Sequence, residues 1–102
     1  MAEERGNTTM RAVLNDQVIA ESDDTVFIEG NHYFPMSAVE TSFLQKSEMT
    51  SFCGWKGTAN YYNVVVDDTR IEGAAWYYRD PKEAAKKIAG RVAFWRGVEV
   101  VD

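Results

Sequence analysis

The chain has 102 residues, of which 45% are hydrophobic and 26% charged, a composition typical of one small globular domain. Its net charge of -5 at pH 7 disfavours binding to nucleic acid or to an anionic membrane, because both need a basic surface. With a single cysteine the chain cannot form an internal disulfide. With only one histidine in addition, it cannot supply the four Cys and His ligands of a structural zinc site. We therefore expect neither metal nor cofactor. The sequence has no apolar run of membrane-spanning length and no signal pattern, so we expect a cytoplasmic protein.

The N-terminal part of the chain predicts a tail followed by a hairpin. Residues 1–9 are polar and lack periodicity, so we expect a disordered tail and then a single domain over 10–102. Asn15-Asp16 tolerates left-handed backbone, which favours a tight turn between strands at 10–14 and 17–21.

A second hairpin is predicted from residue 25 onward. Residues 25–29 form a β-type run, Gly30-Asn31 suits a turn, and 32–34 returns until Pro35, which lacks the N–H that a ladder needs. Helical spacing of apolar residues and a capping-box pattern then predict a short helical turn near 37–45.

The middle of the chain predicts two long paired strands. After a loop at 47–48, residues 49–55 are expected to be a strand. Residues 59–66 alternate in strand fashion, 67–70 contains turn residues, and 71–78 returns as the partner strand.

The strongest helix signal lies near the end of the chain. Asp80 is placed as an N-cap, a proline follows at the first helical position, and Gly90 marks a stop, which predicts an α-helix over about 81–89. Residues 91–95 and 98–101 then predict a closing hairpin. The expected fold is mainly β (α+β), with twisted antiparallel sheets and this one helix.

One turn contains the most reactive side chains. Gly54 and Gly57 flank Trp55-Lys56, which indicates positive φ or a close approach to another group. Lys56 lies three residues after Cys53, so its ammonium would lower the pKa of the thiol and make it a candidate nucleophile. The alternative is that Cys53 is a small buried residue. Lys56 is either an ordinary solvated lysine, a cation for an anionic or carbonyl ligand, or an amine nucleophile.

Aromatic residues provide candidates for ligand contact. Tyr61, Trp76 and Tyr78 lie on strands predicted to pair, so their rings are expected on one face as cross-strand neighbours. Tyr33 and His32 lie near a strand end that could line the same pocket. A lone histidine, however, commonly has no functional role. The alternative for these rings is an aromatic core cluster.

Several common active sites are absent from the sequence. Neither a Gly-x-x-x-x-Gly-Lys-Ser/Thr run nor a Gly-x-Gly-x-x-Gly run occurs, so no phosphate-binding loop is predicted. A serine–histidine–acid triad would have to use His32, and no neighbouring residue supports it. The adjacent Asp67 and Asp68 have the pattern of a solvated turn.

A family resemblance covers residues 10–101. Its motifs occur in the family's order: Tyr33-Phe34-Pro35, residues 50–61 with Cys53 and Lys56-Gly57, residues 74–78, Asp80-Pro81 and residues 92–94. With these motifs the sequence resembles domain-of-unknown-function family 427. Many members have proline where this chain has Gly54.

The resemblance implies a fold similar to the β-tent proteins, which include zinc-bearing exchange-factor-like domains and methionine sulfoxide reductases. Many of those relatives have paired Cys-x-x-Cys ligands, which this sequence lacks, so zinc is not implied for it. The family is also labelled nucleotidyltransferase-like. The glycine–serine and paired-aspartate arrangement that would hold two metal ions for that chemistry does not occur here.

Two functions are compatible with these patterns. The first is binding of a small planar or anionic ligand, with Cys53 and Lys56 as candidate catalytic residues. The pocket would be lined by Tyr33, Cys53, Trp55, Lys56, Tyr61, Trp76 and Tyr78. The alternative is a non-catalytic interaction module, forming a homodimer or binding a partner through a sheet edge or the Trp95 region, with the motif residues as core.

Overall fold

A computed structural model describes residues 8–102, so most of the predicted tail, residues 1–7, lies outside the described residues. The described part is mainly β, as the sequence predicts, and its strands pair in three antiparallel sheets. Two of these have the strand orders β2-β1-β9 and β5-β6-β7-β8, and the third is the β3-β4 hairpin. The strands are β1 (Met10–Leu14), β2 (Gln17–Ser22), β3 (Val26–Ile28), β4 (Asn31–Tyr33), β5 (Leu44–Cys53), β6 (Gly57–Val66), β7 (Thr69–Tyr77), β8 (Val92–Phe94) and β9 (Glu99–Val101).

Both N-terminal hairpins are present, and one turn is displaced from its predicted position. Asn15 and Asp16 have φ of 52° and 66°, the left-handed backbone of a two-residue hairpin turn. In the second hairpin the left-handed pair is Glu29 and Gly30, with φ of 54° and 83°, and Asn31 already belongs to β4. The predicted turn at Gly30-Asn31 was therefore wrong by one residue.

A bulge in β7 sets the pairing of the aromatic residues. Close to the turn, Val66 pairs with Thr69, but the register shifts before Tyr61, which pairs with Trp76. Gly73 lies within the shift, with φ of 65° and its N–H donating to the Asn63 side chain at 2.9 Å. The predicted cross-strand contact between Tyr61 and Trp76 thus depends on this bulge.

The predicted α-helix over 81–89 was wrong. Within residues 8–102 all helical turns are 3-10, and the one in this region covers Glu83–Ile88. Its N-cap is Lys82, with no side-chain cap hydrogen bond, and Ala85 leaves helical geometry at φ -117° and ψ 20°. The kink at Ala85 interrupts the segment, and the hydrogen bonds on either side of it run from the Ala85 N–H to the Lys82 carbonyl and from the Ala89 N–H to the Lys86 carbonyl, the three-residue spacing of 3-10 turns.

The predicted closing hairpin was also wrong. Arg96 and Gly97 do form a left-handed turn, with φ of 56° and 102°. The strands on either side separate, because β8 pairs with β7 and β9 pairs with β1. Each completes a different sheet, which satisfies more backbone hydrogen bonds than a short hairpin exposed to water would.

Residues 36–53 differ from the prediction in detail. The helical turn predicted near 37–45 is two short 3-10 turns, Met36–Ala38 and Thr41–Phe43, after which β5 begins at Leu44. The loop predicted at 47–48 is part of β5, where the pairing with β6 shifts register between Lys46 and Thr50. Residues 47–49 of β5 stand opposite the single residue 61 of β6, and the two extra residues of this edge strand are accommodated as a bulge.

The buried side chains form two clusters. The larger, mostly aliphatic cluster lies between the first sheet and the four-stranded sheet and includes Ile19 and Val64, together with Phe34. A smaller aromatic cluster contains Tyr33, Trp76, Tyr78, Ala59, Ala85, Ile88 and Ala93. None of the helical turns in residues 8–102 has the length and hydropathy needed to cross a membrane. The aromatic cluster lies directly behind the turn that sequence analysis singled out.

Candidate functional site

The turn between β5 and β6 is tight and depends on one glycine. Cys53 pairs with Gly57 across the turn, so Gly54, Trp55 and Lys56 project beyond the ladder. Gly57 has φ of 110°, a conformation that side chains disfavour, whereas Gly54 lies outside the left-handed region. The prediction of special backbone at this turn is confirmed for Gly57 only.

Lys82 fixes the backbone of this turn from outside. Its backbone N–H donates to the Lys56 carbonyl at 2.8 Å. Its side-chain Nζ donates to the Gly54 carbonyl at 2.7 Å. These two bonds connect the segment after Pro81 to both ends of the Trp55-Lys56 pair, and they satisfy carbonyls that the hairpin leaves unpaired.

The side chains of the turn bind one carboxylate. Lys56, only 7% exposed, directs its Nζ to Glu29 Oε1 in a short ion pair. Trp55 Nε1 donates to Glu29 Oε2 at 3.2 Å. Lys56 Nζ also lies 5.5 Å from the ring centroids of Trp55 and Tyr78, within cation–π range. We call Glu29, Trp55 and Lys56 the Glu29 clamp.

The charges within the clamp reinforce one another. The hydrogen bond from Lys56, followed by that from Trp55, holds the pKa of Glu29 below its ordinary value. Burial alone would lower the pKa of Lys56, but the bond to Glu29 and the Tyr33 and Tyr78 phenol groups outweigh it and raise the pKa. Lys56 is therefore a protonated cation here, which favours the predicted ammonium role over that of an amine nucleophile.

Glu29 is the functional candidate that sequence reasoning missed. It occupies the first position of the β3–β4 turn with φ of 54°, where glycine, asparagine and aspartate are the usual residues. A glutamate here tolerates unfavourable backbone, and its side chain reaches the two donors of the β5–β6 turn. Backbone strain of this kind is concentrated at functional sites.

Three of the predicted ligand contacts form an internal layer, the aromatic wall, made of Tyr33, Trp76 and Tyr78. These residues are 0%, 8% and 5% exposed. Trp76 Nε1 donates to the Tyr33 hydroxyl at 3.2 Å, and their rings meet edge to face. Burial raises the pKa of both tyrosines. The wall supports the clamp from behind, with Tyr78 reaching the Lys56 ammonium.

The remaining predicted residues lie toward solvent. Cys53 is a free, partly buried cysteine. Tyr61 is partly exposed, packs against the aromatic cluster that contains its cross-strand partner Trp76, and shares a hydrogen bond of 2.8 Å with Ser51. The structure therefore brings Cys53, Trp55 and Lys56 together at one turn and leaves Tyr61 beside them.

Beside the clamp is an exposed aromatic and cationic surface. Phe52 is 69% exposed and Trp55 is 40% exposed. The Lys82 ammonium lies 5.2 Å from the Phe52 ring centroid. Two exposed rings, Phe52 and Trp55, and a second cation, Lys82, thus lie at the same β5–β6 turn as the clamp. In residues 8–102 no three His, Cys, Asp or Glu side chains come together as a group that could hold a metal ion.

Comparison with known proteins places the chain in a family without describing its chemistry. No curated protein matches the chain. A family of domains of unknown function, DUF427, matches residues 3–102. That match spans nearly the whole sequence, including the β3–β4 turn with Glu29 and the β5–β6 turn with Lys56. The chain therefore belongs to the DUF427 family.

Proposed function

We propose that this domain binds a small planar anion, such as an aromatic carboxylate, at the Glu29 clamp. The observation that supports the proposal is that Trp55 and Lys56 already hold a carboxylate through both of its oxygens. A ligand carboxylate would accept the same two hydrogen bonds, and its ring would lie against the exposed aromatic surface beside the clamp.

Exchange with Glu29 is the central step of this proposal. The Glu29 side chain is 50% exposed, whereas that of Lys56 is 9% exposed, so the carboxylate can turn into water while the ammonium cannot. An ammonium left buried without a partner is unfavourable, which strengthens its attraction for an incoming anion. Glu29 acts in this account as an internal competitor that occupies the site in the absence of ligand.

The neighbouring side chains favour a planar ligand. Phe52 and Trp55 offer exposed ring faces on which a flat molecule stacks. Lys82 adds a second positive charge at the Phe52 ring, held in place by the Gly54 carbonyl. The acidic chain as a whole repels anions, so these local cations provide the attraction.

A titration with three probes tests the proposal. Benzoate combines a ring with a carboxylate, benzamide keeps the ring without charge, and inorganic phosphate supplies charge without a ring. We expect benzoate to shift the Trp55 indole N–H resonance saturably, with an affinity at least about tenfold above that of either other probe.

Two variants test whether benzoate binds at the Glu29 clamp. Lys56→Met keeps an unbranched buried side chain and removes the ammonium, so benzoate binding is expected to disappear. Lys46→Met, at an exposed position of β5, removes the same charge elsewhere and is the matched control. Binding that survives Lys56→Met, or that is lost equally in Lys46→Met, would overturn the proposal.

A second candidate function is the non-catalytic interaction module, and β5 is the observation that favours it. This ten-residue strand forms one edge of the four-stranded sheet. Met49 and Phe52 are among its exposed apolar residues, and an edge of this kind can add a strand from a partner or a second copy. The bulge within β5 opposes such pairing, because it interrupts the straight edge.

Light scattering coupled to size-exclusion chromatography separates the two candidates. A homodimer that dissociates in Phe52→Ser would support the interaction module. A monomer at all accessible concentrations that still binds benzoate supports ligand binding at the clamp alone.

A further inference from the structure

A cleft on another part of the β3–β4 hairpin has the features of a second binding site. It has a volume of about 530 Å³, within the range of small-molecule pockets. Four separate parts of the chain form its walls: the approach to β1, the β2–β3 connection, the hairpin itself and the Glu83–Ile88 turn. A cleft between four segments is a site of tertiary structure, which no local sequence motif would reveal.

One part of the cleft is apolar. Met10, Val26 and Phe27 line it, and Phe27 is 61% exposed although it belongs to a strand. The Phe27 ring packs on the His32 ring with centroids 4.6 Å apart. These rings belong to directly paired residues of β3 and β4, so the hairpin register fixes their relative position. The cleft therefore offers a preformed aromatic surface, with the two rings inclined at 51°.

His32 is oriented toward a single hydrogen-bonding role. Its Nδ1 is hydrogen-bonded to Thr25 Oγ1 at 2.8 Å, so Nε2 is the ring nitrogen available for other bonds. Burial lowers the pKa of His32, which keeps the imidazole neutral near neutral pH. A neutral, oriented imidazole makes a hydrogen bond to a polar ligand without adding a full charge to the cleft.

Two opposite charges line the same cleft. Asp23 comes from the β2–β3 connection and Lys87 from the Glu83–Ile88 turn. Within residues 8–102 these two side chains form no ion pair with each other, although both line the cleft. A ligand with one charge would meet an unfavourable partner on one side, whereas a ligand with both charges meets a favourable partner for each.

We propose that this cleft binds a small zwitterion with an aromatic or apolar body, the chemical class of a free amino acid. The ligand carboxylate pairs with Lys87, its ammonium pairs with Asp23, and its body stacks on Phe27 beside His32. The site is distinct from the Glu29 clamp: Glu29 lies at the turn of the hairpin, whereas Phe27 and His32 form its middle pair and Thr25 precedes β3. Either site can exist without the other.

Three probes of similar shape test the assignment of charge. L-Phenylalanine is zwitterionic, 3-phenylpropionate has only the carboxylate, and 2-phenylethylamine has only the ammonium. We expect L-phenylalanine to shift the His32 ring resonances saturably in the full chain. Each singly charged analogue is expected to bind about tenfold more weakly, because one charged wall residue then loses its partner.

Variants test which residues act. Lys87→Ala and Asp23→Asn are each expected to weaken L-phenylalanine binding about tenfold. Lys86→Ala removes the neighbouring lysine, which pairs with Glu83 and does not line the cleft, and is expected to leave binding unchanged. The dispersion of each variant's amide spectrum verifies that it remains folded.

The proposal is overturned by any of three results. These are the absence of a saturable His32 shift, equal binding of L-phenylalanine and both analogues, or equal losses in Lys86→Ala and Lys87→Ala. Benzoate binding at the clamp is followed through the Trp55 resonance, so failure at one site is distinguished from failure at the other.

Discussion

Trp76 and Trp55 each donate a hydrogen bond from the indole N–H, the first in the core and the second at the surface. Each donates its indole N–H over 3.2 Å, Trp76 to the Tyr33 hydroxyl and Trp55 to the Glu29 carboxylate. Trp76 is 8% exposed and its acceptor is fully buried, whereas Trp55 is 40% exposed and its acceptor reaches solvent. The first bond is part of the core, whereas the second lies at the surface, where the proposed ligand would replace Glu29 without opening the core.

This contrast divides the predicted pocket into a buried layer, the aromatic wall, and a surface layer, the Glu29 clamp. Within the aromatic wall the Trp76 N–H already has the Tyr33 hydroxyl as its acceptor, so this donor is not free for a ligand. The Glu29 clamp uses ionised groups at the surface, where an outside anion can compete. The following predictions test that division, beginning with the largest expected effect.

Removing the two tryptophans is expected to have very different consequences for stability. Trp76→Ala leaves a large cavity in the aromatic cluster and is expected to lower the free energy of unfolding by about 3–5 kcal/mol. Trp55→Ala removes a half-exposed ring, and the expected loss is below about 2 kcal/mol. Urea unfolding measures both values. Equal losses would show that Trp55 belongs to the core and would remove the distinction between the layers.

The two glycines of the β5–β6 turn are expected to respond differently to alanine. Gly57→Ala forces a side chain into left-handed backbone, φ of 110°, and is expected to lower stability by about 1–3 kcal/mol. Gly54→Ala meets no atom within 4 Å and no such backbone, so a change within about 0.5 kcal/mol is expected. The same urea measurements compare them. A large loss of unfolding free energy in Gly54→Ala would mean that the backbone of the turn is constrained at both ends.

The Glu29–Lys56 pair predicts a defined pH window of stabilisation. Because the pKa of Glu29 is lowered from 4.5, its contribution is complete above that pH and is lost as the pH falls through the folded-state value. Because the pKa of Lys56 is raised from 10.5, its contribution is complete below that pH and is lost as the pH rises further.

The measurement is the unfolding free energy of wild type minus that of Lys56→Met, followed across pH. The account predicts a plateau between 4.5 and 10.5 with a decline on both sides. A difference that does not change with pH would mean that Lys56 contributes by packing alone.

The smallest expected effect concerns Cys53. The thiol is partly accessible, so an alkylating reagent should label it in the folded protein. Because the Lys56 ammonium is directed to Glu29, Lys56→Met is expected to change the labelling rate by less than about threefold. Mass spectrometry follows the reaction. A much larger decrease would assign Lys56 to thiol activation, and protection until unfolding would place Cys53 in the core.

Local signals predicted the parts of the fold that local interactions determine. The Asn15-Asp16 hairpin and the alternating strand β6 were correct, because left-handed turn residues and period-two patterning act within a few residues. Lys56 and Trp55 were identified for the same reason, since the reactive side chains and the turn glycines are adjacent in sequence.

The features that the sequence did not predict depend on tertiary contacts. The cap signals at Asp80 predicted an α-helix, but the Lys82 N–H bonds to Lys56 across the molecule, and Ala85 leaves helical geometry and interrupts the segment. Glu29 was missed because its partner Lys56 is 27 residues away and its turn is displaced by one residue. A glutamate beside a turn glycine is a weak sequence signal for a functional residue. It becomes informative only when the structure shows the donors opposite it, Trp55 and Lys56.

The most direct test of the account is the benzoate affinity of Glu29→Asn. Asparagine accepts the left-handed backbone of this position, and its shorter, uncharged side chain no longer competes for the Lys56 ammonium. Asp67→Asn removes one charge at another left-handed turn position, φ of 52°, and serves as the control.

If Glu29 occupies the ligand site, Glu29→Asn binds benzoate about tenfold more tightly than wild type, while Asp67→Asn changes the affinity little. An affinity in Glu29→Asn that is equal to or weaker than that of wild type would contradict the account, and the ion pair would then be a structural connection between two hairpins.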